Sequence, residues 1–255
     1  MRKLYSGNEA IARGAFEGGV TAAFGYPGTP STEILENLVQ YSKFGVYCEW
    51  SPNEKVALEA AAGAAIAGAR TIVTMKLVGL NVAADPLMTL SYIGVVGGMV
   101  VVVADDPGQD SSQTEQDTRH YARLAKVPVL EPANAEEARD FVIKGFELSE
   151  KYGCPVILRT TTCVSHSRSL VEEHEPRERN VTAFKSNVQQ FVPLPIWGRK
   201  LRVKVEERMV AQAAEACTSS MNQVIENGSA LGIVSHGVTA AHCIELFPEA
   251  SILKI

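Results

Sequence analysis

The sequence predicts an α/β protein in which helices cover both faces of an open, mostly parallel sheet. Over the first two-thirds of the chain, six short apolar runs alternate with stretches of helical spacing. This alternation is the order expected of a doubly wound fold. Four of the six runs carry β-branched residues at nearly every position, which is typical of strands buried on both faces of a sheet.

In chain order, the apolar runs give the predicted strands and the stretches of helical spacing give the predicted helices. The predicted strands are residues 21–26, 45–50, 71–76, 99–104, 127–131 and 155–160. The predicted helices are residues 9–19, 30–44, 52–69, 81–93, 111–126 and 135–152.

The composition of the chain changes after residue 164. Residues 166–208 are charged and proline-bearing, without a clear period, so they form either a connecting segment that wraps the domain or a disordered linker. Beyond them, residues 206–226 and 237–246 read as helices, and 229–235 and 251–255 as strands. We therefore expect a domain at 1–167, a wrapping linker at 168–205 and the start of a second, truncated α/β domain at 206–255. A parallel sheet needs both faces covered, so this last unit either joins the first sheet or, as we prefer, opens a longer protein.

The composition excludes several classes of protein. The chain has 255 residues, 46% of them apolar, with a net charge of −5, which describes a soluble globular protein without a basic surface for nucleic acid. The longest apolar stretch, residues 60–69, is too short to cross a bilayer, and no secretory pattern opens the sequence. Five cysteines form no CxxC pair, so no zinc or iron–sulfur site is predicted within the chain. We expect a cytoplasmic protein with no membrane partner.

The first candidate site is the loop after the first predicted strand, since ligands of open parallel sheets sit at the carboxyl ends of strands. Gly28 permits a tight turn, Thr29 is a predicted N-cap, and Pro30 suits a first helical position. Such a turn would leave backbone N–H groups free for an anionic or carbonyl ligand. An ordinary strand-to-helix turn explains the same residues.

Glu54 is the second candidate. Ser51 and Glu54 have the spacing of a capping box, with Ser51 as the N-cap. However, at helical spacing the carboxylate shares one face with apolar residues only, namely Ala57, Leu58, Ala61 and Ala65. A carboxylate on a buried apolar face is typical of a proton-transfer group, so both roles remain open.

The third candidate site lies at the end of the predicted strand 71–76. Lys76 and Asn81 could donate hydrogen bonds to a substrate carboxylate or carbonyl, or they could be a solvated lysine and a helix-capping asparagine. The acidic run at 105–113 lacks the ligand pattern of a calcium loop, so no metal site is predicted. The histidines, which also lack ligand spacing, are His120, His166, His174, His236 and His242.

Together, these loops resemble the 2-oxoacid:ferredoxin oxidoreductases. The segment GYPGTPS at residues 25–31 is similar to a loop of that family. The segments that narrow the resemblance to the alpha-subunit family of indolepyruvate:ferredoxin oxidoreductases are NEKVALE (53–59), MK (75–76), VGLNVAADP (78–86), ADDP (104–107) and SSQTEQD (111–117). The likeness runs from about residue 7 to 164 and resumes at 231–255.

The resemblance implies a thiamine diphosphate enzyme whose pyrimidine-binding domain is residues 1–167. The family's glutamate that hydrogen-bonds N1′ of the aminopyrimidine falls on Glu54. Protonation of N1′ favours the 4′-imino tautomer, which removes the C2 proton of the thiazolium ring. The carbanion then attacks a 2-oxoacid, CO2 leaves, and electrons pass to iron–sulfur clusters. The residues implied to contact the cofactor are Tyr26, Pro27, Gly28, Thr29 and Glu54, and those implied to contact the substrate are Thr29, Lys76 and Asn81.

The same resemblance implies a larger assembly. The family's diphosphate and magnesium motif and its cysteine runs lie beyond the residue at which this chain ends. We therefore expect the N-terminal part of a longer subunit, inactive alone, with Mg²⁺ and the diphosphate held by another domain and iron–sulfur clusters elsewhere. The expected partners are a second subunit, the C-terminal domains, ferredoxin and a second copy in a homodimer. The expected substrate is indolepyruvate or another aryl or branched-chain 2-oxoacid, since Leu77 stands where the family commonly has histidine.

A second hypothesis is a noncatalytic assembly module that has the same fold and binds no cofactor. In this hypothesis the small residues of the helix at 57–69 provide a packing surface. Diphosphate-site and cysteine-cluster motifs in the rest of the reading frame would favour the enzyme.

Overall fold

The computed structural model describes residues 1–178 and 181–255. The strands are β1 (Arg2–Ser6), β2 (Ala22–Gly25), β3 (Tyr47–Trp50), β4 (Thr71–Lys76), β5 (Met99–Asp105), β6 (Val129–Leu130), β7 (Val156–Thr161), β8 (Arg168–Glu172), β9 (Gln223–Ile225), β10 (Gly232–Ser235) and β11 (Ser251–Lys254). The α-helices are α1 (Gly7–Glu17), α2 (Thr32–Leu38), α3 (Glu54–Ile66), α4 (Leu77–Val82), α5 (Ala84–Ile93), α6 (Thr118–Ala125), α7 (Ala135–Tyr152), α8 (Thr162–His166), α9 (Val188–Phe191), α10 (Pro195–Ala216) and α11 (Gly237–Leu246).

The core of the molecule is a six-stranded parallel sheet with the order β3-β2-β4-β5-β7-β6. Its strands are the six predicted from the apolar runs, each within two residues of the predicted bounds. The β-branched runs of β4, β5 and β7 are almost fully buried, because helices cover both faces of the sheet.

Two apolar layers hold the helices on the sheet. On one face, α1, α2 and α7 pack around Ile11, Leu35 and Phe146. On the other face, α3, α4 and α5 pack around Leu58, Leu80 and Leu87. The predicted doubly wound fold with helices on both faces is confirmed.

Several predicted helix boundaries are wrong. The helix predicted at 30–44 begins only at Thr32 and continues as a 3-10 helix at Val39–Phe44. The one predicted at 81–93 is two helices that meet at Ala83. The helix predicted at 111–126 begins at Thr118, because the Asp117 side chain accepts the Arg119 N–H and caps the helix there.

The segment treated as a linker contains regular structure at both ends. Strand β8 pairs antiparallel with β1, which the sequence missed because most of β1 is polar and exposed. Farther along the chain, the Thr182 N–H donates to the Gly68 carbonyl (3.1 Å), just before β4. Helix α10 begins at Pro195, not at residue 206 as predicted. Within this helix only Leu201 and Val205 are buried, so no apolar stripe marked its true bounds.

The C-terminal residues form a separate three-stranded sheet with the order β10-β11-β9. The alternative in which they join the first sheet is therefore wrong. Helix α11 has its predicted bounds at 237–246. Among the described residues, no helix has the length and apolar character needed to cross a membrane.

Candidate functional site

The predicted site residues follow three neighbouring strands at their carboxyl ends. The loop after β2 begins with the Tyr26 N–H donating to the Thr74 carbonyl of β4 (3.3 Å), and the Ser51 N–H after β3 donates to the Gly25 carbonyl (2.9 Å). The chain leaves β2 toward the α2 face and β4 toward the opposite face. Such a divergence opens a crevice at the edge of a parallel sheet, where ligands of this fold class bind.

The loop at residues 26–30 differs from its predicted form. The Gly28 N–H donates to the Thr32 hydroxyl (2.8 Å), so it is not free for a ligand. The Thr29–Pro30 peptide is cis. Helix α2 begins at Thr32 and has no side-chain cap. Thr29 is therefore not an N-cap and Pro30 is not a first helical residue. Instead, Tyr26, Pro27 and Thr29 are exposed at the edge of the sheet.

Asn8 anchors this loop and was missed by the sequence analysis. Its side chain is 1% exposed, and its Nδ2 donates to the Pro30 carbonyl (2.7 Å) and to Glu33 Oε2 (3.0 Å). In the sequence, Asn8 lies in the polar segment that starts α1, so no local signal marks a contact 22 residues away.

Asn53, not Ser51, caps the helix that carries Glu54. Its Oδ1 accepts the Val56 N–H (3.0 Å), so Glu54 is the first residue of α3 and forms no capping box. The capping role for the pair Ser51 and Glu54 is therefore wrong. The Glu54 carboxylate is left without that structural use.

The Glu54 side chain is buried beside small and apolar groups. Glu54 is 8% exposed, and its predicted face partners on α3 are all buried: Ala57, Leu58, Ala61 and Ala65. Among residues 1–178 and 181–255, none donates a hydrogen bond to this carboxylate or forms an ion pair with it. An ideal Cβ on Gly79 would lie 2.5 Å from Glu54 Oε1 and 2.8 Å from Cδ. The carboxylate thus fills the space above a glycine of α4.

Lys76 crosses the edge of the sheet toward the loop after β5. Its stem covers Gly28, where a Cβ would lie 2.7 Å from Lys76 Cδ and 2.9 Å from Cγ. Its Nζ lies 3.5 Å from the Ser111 carbonyl oxygen. Within the part of the chain that the structure describes, no carboxylate lies within 4 Å of this ammonium group.

Asn81 lies inside α4 and does not cap the following helix. The Tyr121 hydroxyl donates to Asn81 Oδ1, which leaves the amide nitrogen as the available donor. The alternative role of Asn81 as a helix cap is therefore wrong, because Ala83 precedes α5.

The two aspartates at the end of β5 are fully buried and structural. Asp105 accepts from Arg159 Nε (2.6 Å) and the Thr118 N–H (3.0 Å), and Asp106 accepts from the Ser111 N–H (2.8 Å). The described residues include no group of three or more metal-ligating side chains. A cleft of about 980 Å³ opens beside this strand, lined in part by Arg159, Thr161 and His236. Glu54, Lys76 and the 26–30 loop do not line it.

The sheet and its edge define the class of protein. Residues 13–229 match the family described as "Pyruvate flavodoxin/ferredoxin oxidoreductase, thiamine diP-bdg". The match covers most of the chain, so the chain belongs to this family. A solved structure, the 2-oxoglutarate:ferredoxin oxidoreductase from Magnetococcus marinus with 2-oxoglutarate, coenzyme A and succinyl-CoA bound, superposes with a TM-score of 0.79 at 16% identity. The superposition covers 100% of this chain and 53% of that chain, and it shows a shared fold.

Within this family, the sequence is similar to the indolepyruvate oxidoreductase subunit IorA. It is 52% identical over 240 residues to IorA of Methanothermobacter marburgensis, covering 92% of this chain and 39% of the relative. It is 46% identical over 250 residues to IorA of Pyrococcus horikoshii, covering 95% and 39%. The predicted resemblance to the alpha subunit of indolepyruvate:ferredoxin oxidoreductases is confirmed, and the chain spans about two fifths of the length of these curated relatives.

Proposed function

We propose that this chain is the pyrimidine-binding part of a thiamine diphosphate-dependent 2-oxoacid:ferredoxin oxidoreductase. In this proposal Glu54 is the residue that contacts N1′ of the cofactor's aminopyrimidine. One observation carries the proposal: Glu54 presents a buried carboxylate at the carboxyl edge of the sheet, and no described residue pairs with it. A buried ionisable group without a partner costs free energy, so its presence favours a ligand that completes it.

The Glu54 carboxyl group and its apolar surroundings fit the pyrimidine end of thiamine diphosphate. A carboxyl group can share a proton with a ring nitrogen, and the apolar face around Glu54 keeps competing water away. Bound thiamine diphosphate supplies a thiazolium carbon that attacks the carbonyl of a 2-oxoacid. Glu54 would hold the proton at N1′, and the loop of Tyr26, Pro27, Gly28 and Thr29 would contact the cofactor.

The substrate side of the proposal rests on Lys76. Among the described residues, its ammonium group has one long contact, to a backbone carbonyl, so it is available to bind the carboxylate of a 2-oxoacid. The Asn81 amide nitrogen and the Thr29 hydroxyl are further donors for the substrate. The substrate class is indolepyruvate or another aryl or branched-chain 2-oxoacid, in line with the IorA relatives.

The rest of the enzyme lies outside this chain in the proposal. A further domain holds the diphosphate and Mg²⁺, and iron–sulfur clusters pass electrons to ferredoxin. The proposal includes a second subunit, a homodimer and a cytoplasmic location, with the isolated fragment inactive. The division into residues 1–167, 168–205 and 206–255 is part of the same proposal.

The test replaces Glu54 by glutamine in the complete enzyme. We expect Glu54→Gln to lower kcat/KM for the 2-oxoacid by about 100-fold or more, the range of a general acid–base group. Because Asn53 provides the cap, the thermal midpoint should stay nearly unchanged. Hydrogen–deuterium exchange at C2 of the bound cofactor, followed by NMR, should slow by a similar factor.

Glu59→Gln is the matched control for this test. Glu59 is an exposed carboxylate on the same helix, 3.9 Å from Lys55 Nζ. We expect kcat/KM, the thermal midpoint and C2 exchange of Glu59→Gln to match the wild type. A lowered midpoint with normal C2 exchange in Glu54→Gln would contradict the proposal. The assembly-module hypothesis is not favoured, because Ala57, Ala61 and Ala65 are already buried against the chain's own core.

A further inference from the structure

The missing side chain of Gly79 determines where the Glu54 carboxylate lies. A Cβ at this position would lie 2.5 Å from Glu54 Oε1, 2.6 Å from Cγ and 2.8 Å from Cδ. All three distances are far below ordinary contact between such atoms. The three nearest atoms that a Cβ would meet all belong to Glu54.

Helix α4 cannot move away to make room for a side chain. Leu77 and Leu80, on either side of Gly79, are 1% and 0% exposed, and Leu80 belongs to the apolar core under α3. A close-packed core resists displacement, whereas the Glu54 side chain can change its χ1 rotamer, which moves Cγ and the carboxylate together. A methyl group at position 79 would therefore displace the carboxylate and leave the helix in place.

We propose that Gly79 is a positioning residue, which sets the orientation of the Glu54 carboxylate toward its ligand. This inference rests on the proposed function of Glu54. The contact with Glu54 also explains why a glycine stands inside a helix. Glycine lowers the stability of a helix more than any other residue except proline. Gly79 occupies the middle of α4 with φ outside the left-handed region, so its own backbone does not require glycine.

The test uses Gly79→Ala in the complete enzyme, with Gly198→Ala as the matched control. Gly198 is also helical. Apart from its chain neighbours and the backbone of its own helix, no described atom lies within 4 Å of a Cβ built on it. We expect Gly79→Ala to slow C2 exchange of bound thiamine diphosphate about tenfold or more, with a thermal midpoint equal to or above that of the wild type. Gly198→Ala should change neither the exchange rate nor the affinity for thiamine diphosphate.

A double substitution separates action through Glu54 from any other effect. If Gly79 acts through Glu54, adding Gly79→Ala to Glu54→Gln should slow C2 exchange no further. Independent, multiplying effects would overturn the inference. If Glu54→Gln slows exchange and Gly79→Ala does not, the inference about Gly79 fails while the proposed function stands. If neither variant slows exchange, the proposed function fails, and the inference fails with it.

A stability measurement keeps the inference testable should Gly79→Ala fold poorly. The clash would then involve the Glu54 side chain, so Gly79→Ala introduced into Glu54→Ala should raise the thermal midpoint above that of Glu54→Ala alone. An equal loss of stability in both backgrounds would show that the methyl group meets something other than Glu54. That result would overturn the inference.

Discussion

Lys76 brings an ammonium group without a carboxylate partner to the edge of the sheet, at least among the residues that the structure describes. Its stem and its charge have separate roles. The methylene groups fill the space left by Gly28, as long basic side chains often cover apolar or backbone surface. The Nζ atom then extends to 3.5 Å from the Ser111 carbonyl oxygen. The charge of Lys76 can therefore be removed by a substitution that keeps the space over Gly28 filled.

Lys76→Met tests the charge alone, because methionine keeps an unbranched apolar stem over Gly28. A hydrogen bond to a charged group contributes about 1.5–3 kcal/mol, so we expect KM for the 2-oxoacid to rise about ten- to a hundredfold. The thermal midpoint should stay close to the wild type. Steady-state kinetics of the complete enzyme provides the measurement. The control is Lys55→Met, which removes a partly exposed lysine paired with Asp85. An equal rise in KM for both variants would rule out substrate binding by Lys76.

Two buried side chains, Asn8 and Asp106, fix the loops around the site. Asn8 of α1 holds the loop after β2 through the Pro30 carbonyl. Asp106 holds the loop after β5 by accepting from the Ser111 N–H (2.8 Å) and the Thr162 hydroxyl (2.8 Å). The Ser111 carbonyl in turn faces Lys76, so Asp106 supports the surroundings of the ammonium group from the opposite side.

Asp106 should make the free energy of unfolding depend on pH. Burial acts to raise the pKa of this carboxyl, but the hydrogen bonds from Ser111 and Thr162 outweigh it and lower the pKa from 3.8 to about 2. A lowered pKa in the folded state contributes stability above the unfolded value, and that contribution is lost as pH falls from about 4 toward 2. The unfolding free energy of the wild type should therefore fall in this range more steeply than that of Asp106→Asn. Urea unfolding at a series of pH values measures the difference, and parallel profiles would refute it.

A network of charged side chains, joined by His236, connects the first sheet to the C-terminal unit. Arg159 of β7 donates to Asp105 (2.6 Å) and to Glu131 Oε1 (2.7 Å). His236, which precedes α11, lies 2.9 Å from the same Glu131 oxygen and 2.6 Å from Arg119. Arg159 is 5% exposed and Asp105 is fully buried, so the charges at the centre of this network depend on one another.

Arg159→Leu should be strongly destabilising, because it leaves Asp105 buried without its cation. Removing one partner of a buried ion pair costs about 3–5 kcal/mol. Urea unfolding provides the measurement, and Arg123→Leu is the control. Arg123 is exposed on α6, so its replacement should change stability by about 0.5 kcal/mol or less. Equal effects of the two substitutions would show that the network contributes nothing to stability.

The fold class and the six core strands were predictable from the sequence, because strands buried on both faces need long apolar, β-branched runs and parallel order needs helices between them. The sequence also indicated the family, through the resemblance of its loop motifs taken together. It also selected Glu54, Lys76 and the loop after β2, since strand ends are readable from the same pattern. Three features required the folded structure: Asn53 caps α3, Gly79 lies against Glu54, and the stem of Lys76 covers Gly28. The last two contacts join separate strands and helices across the sheet edge, and a one-dimensional period carries no information about such distances. Ser51 and Asn53 are both residue types that commonly cap helices. The choice between them depends on local hydrogen-bond geometry, which the sequence does not specify.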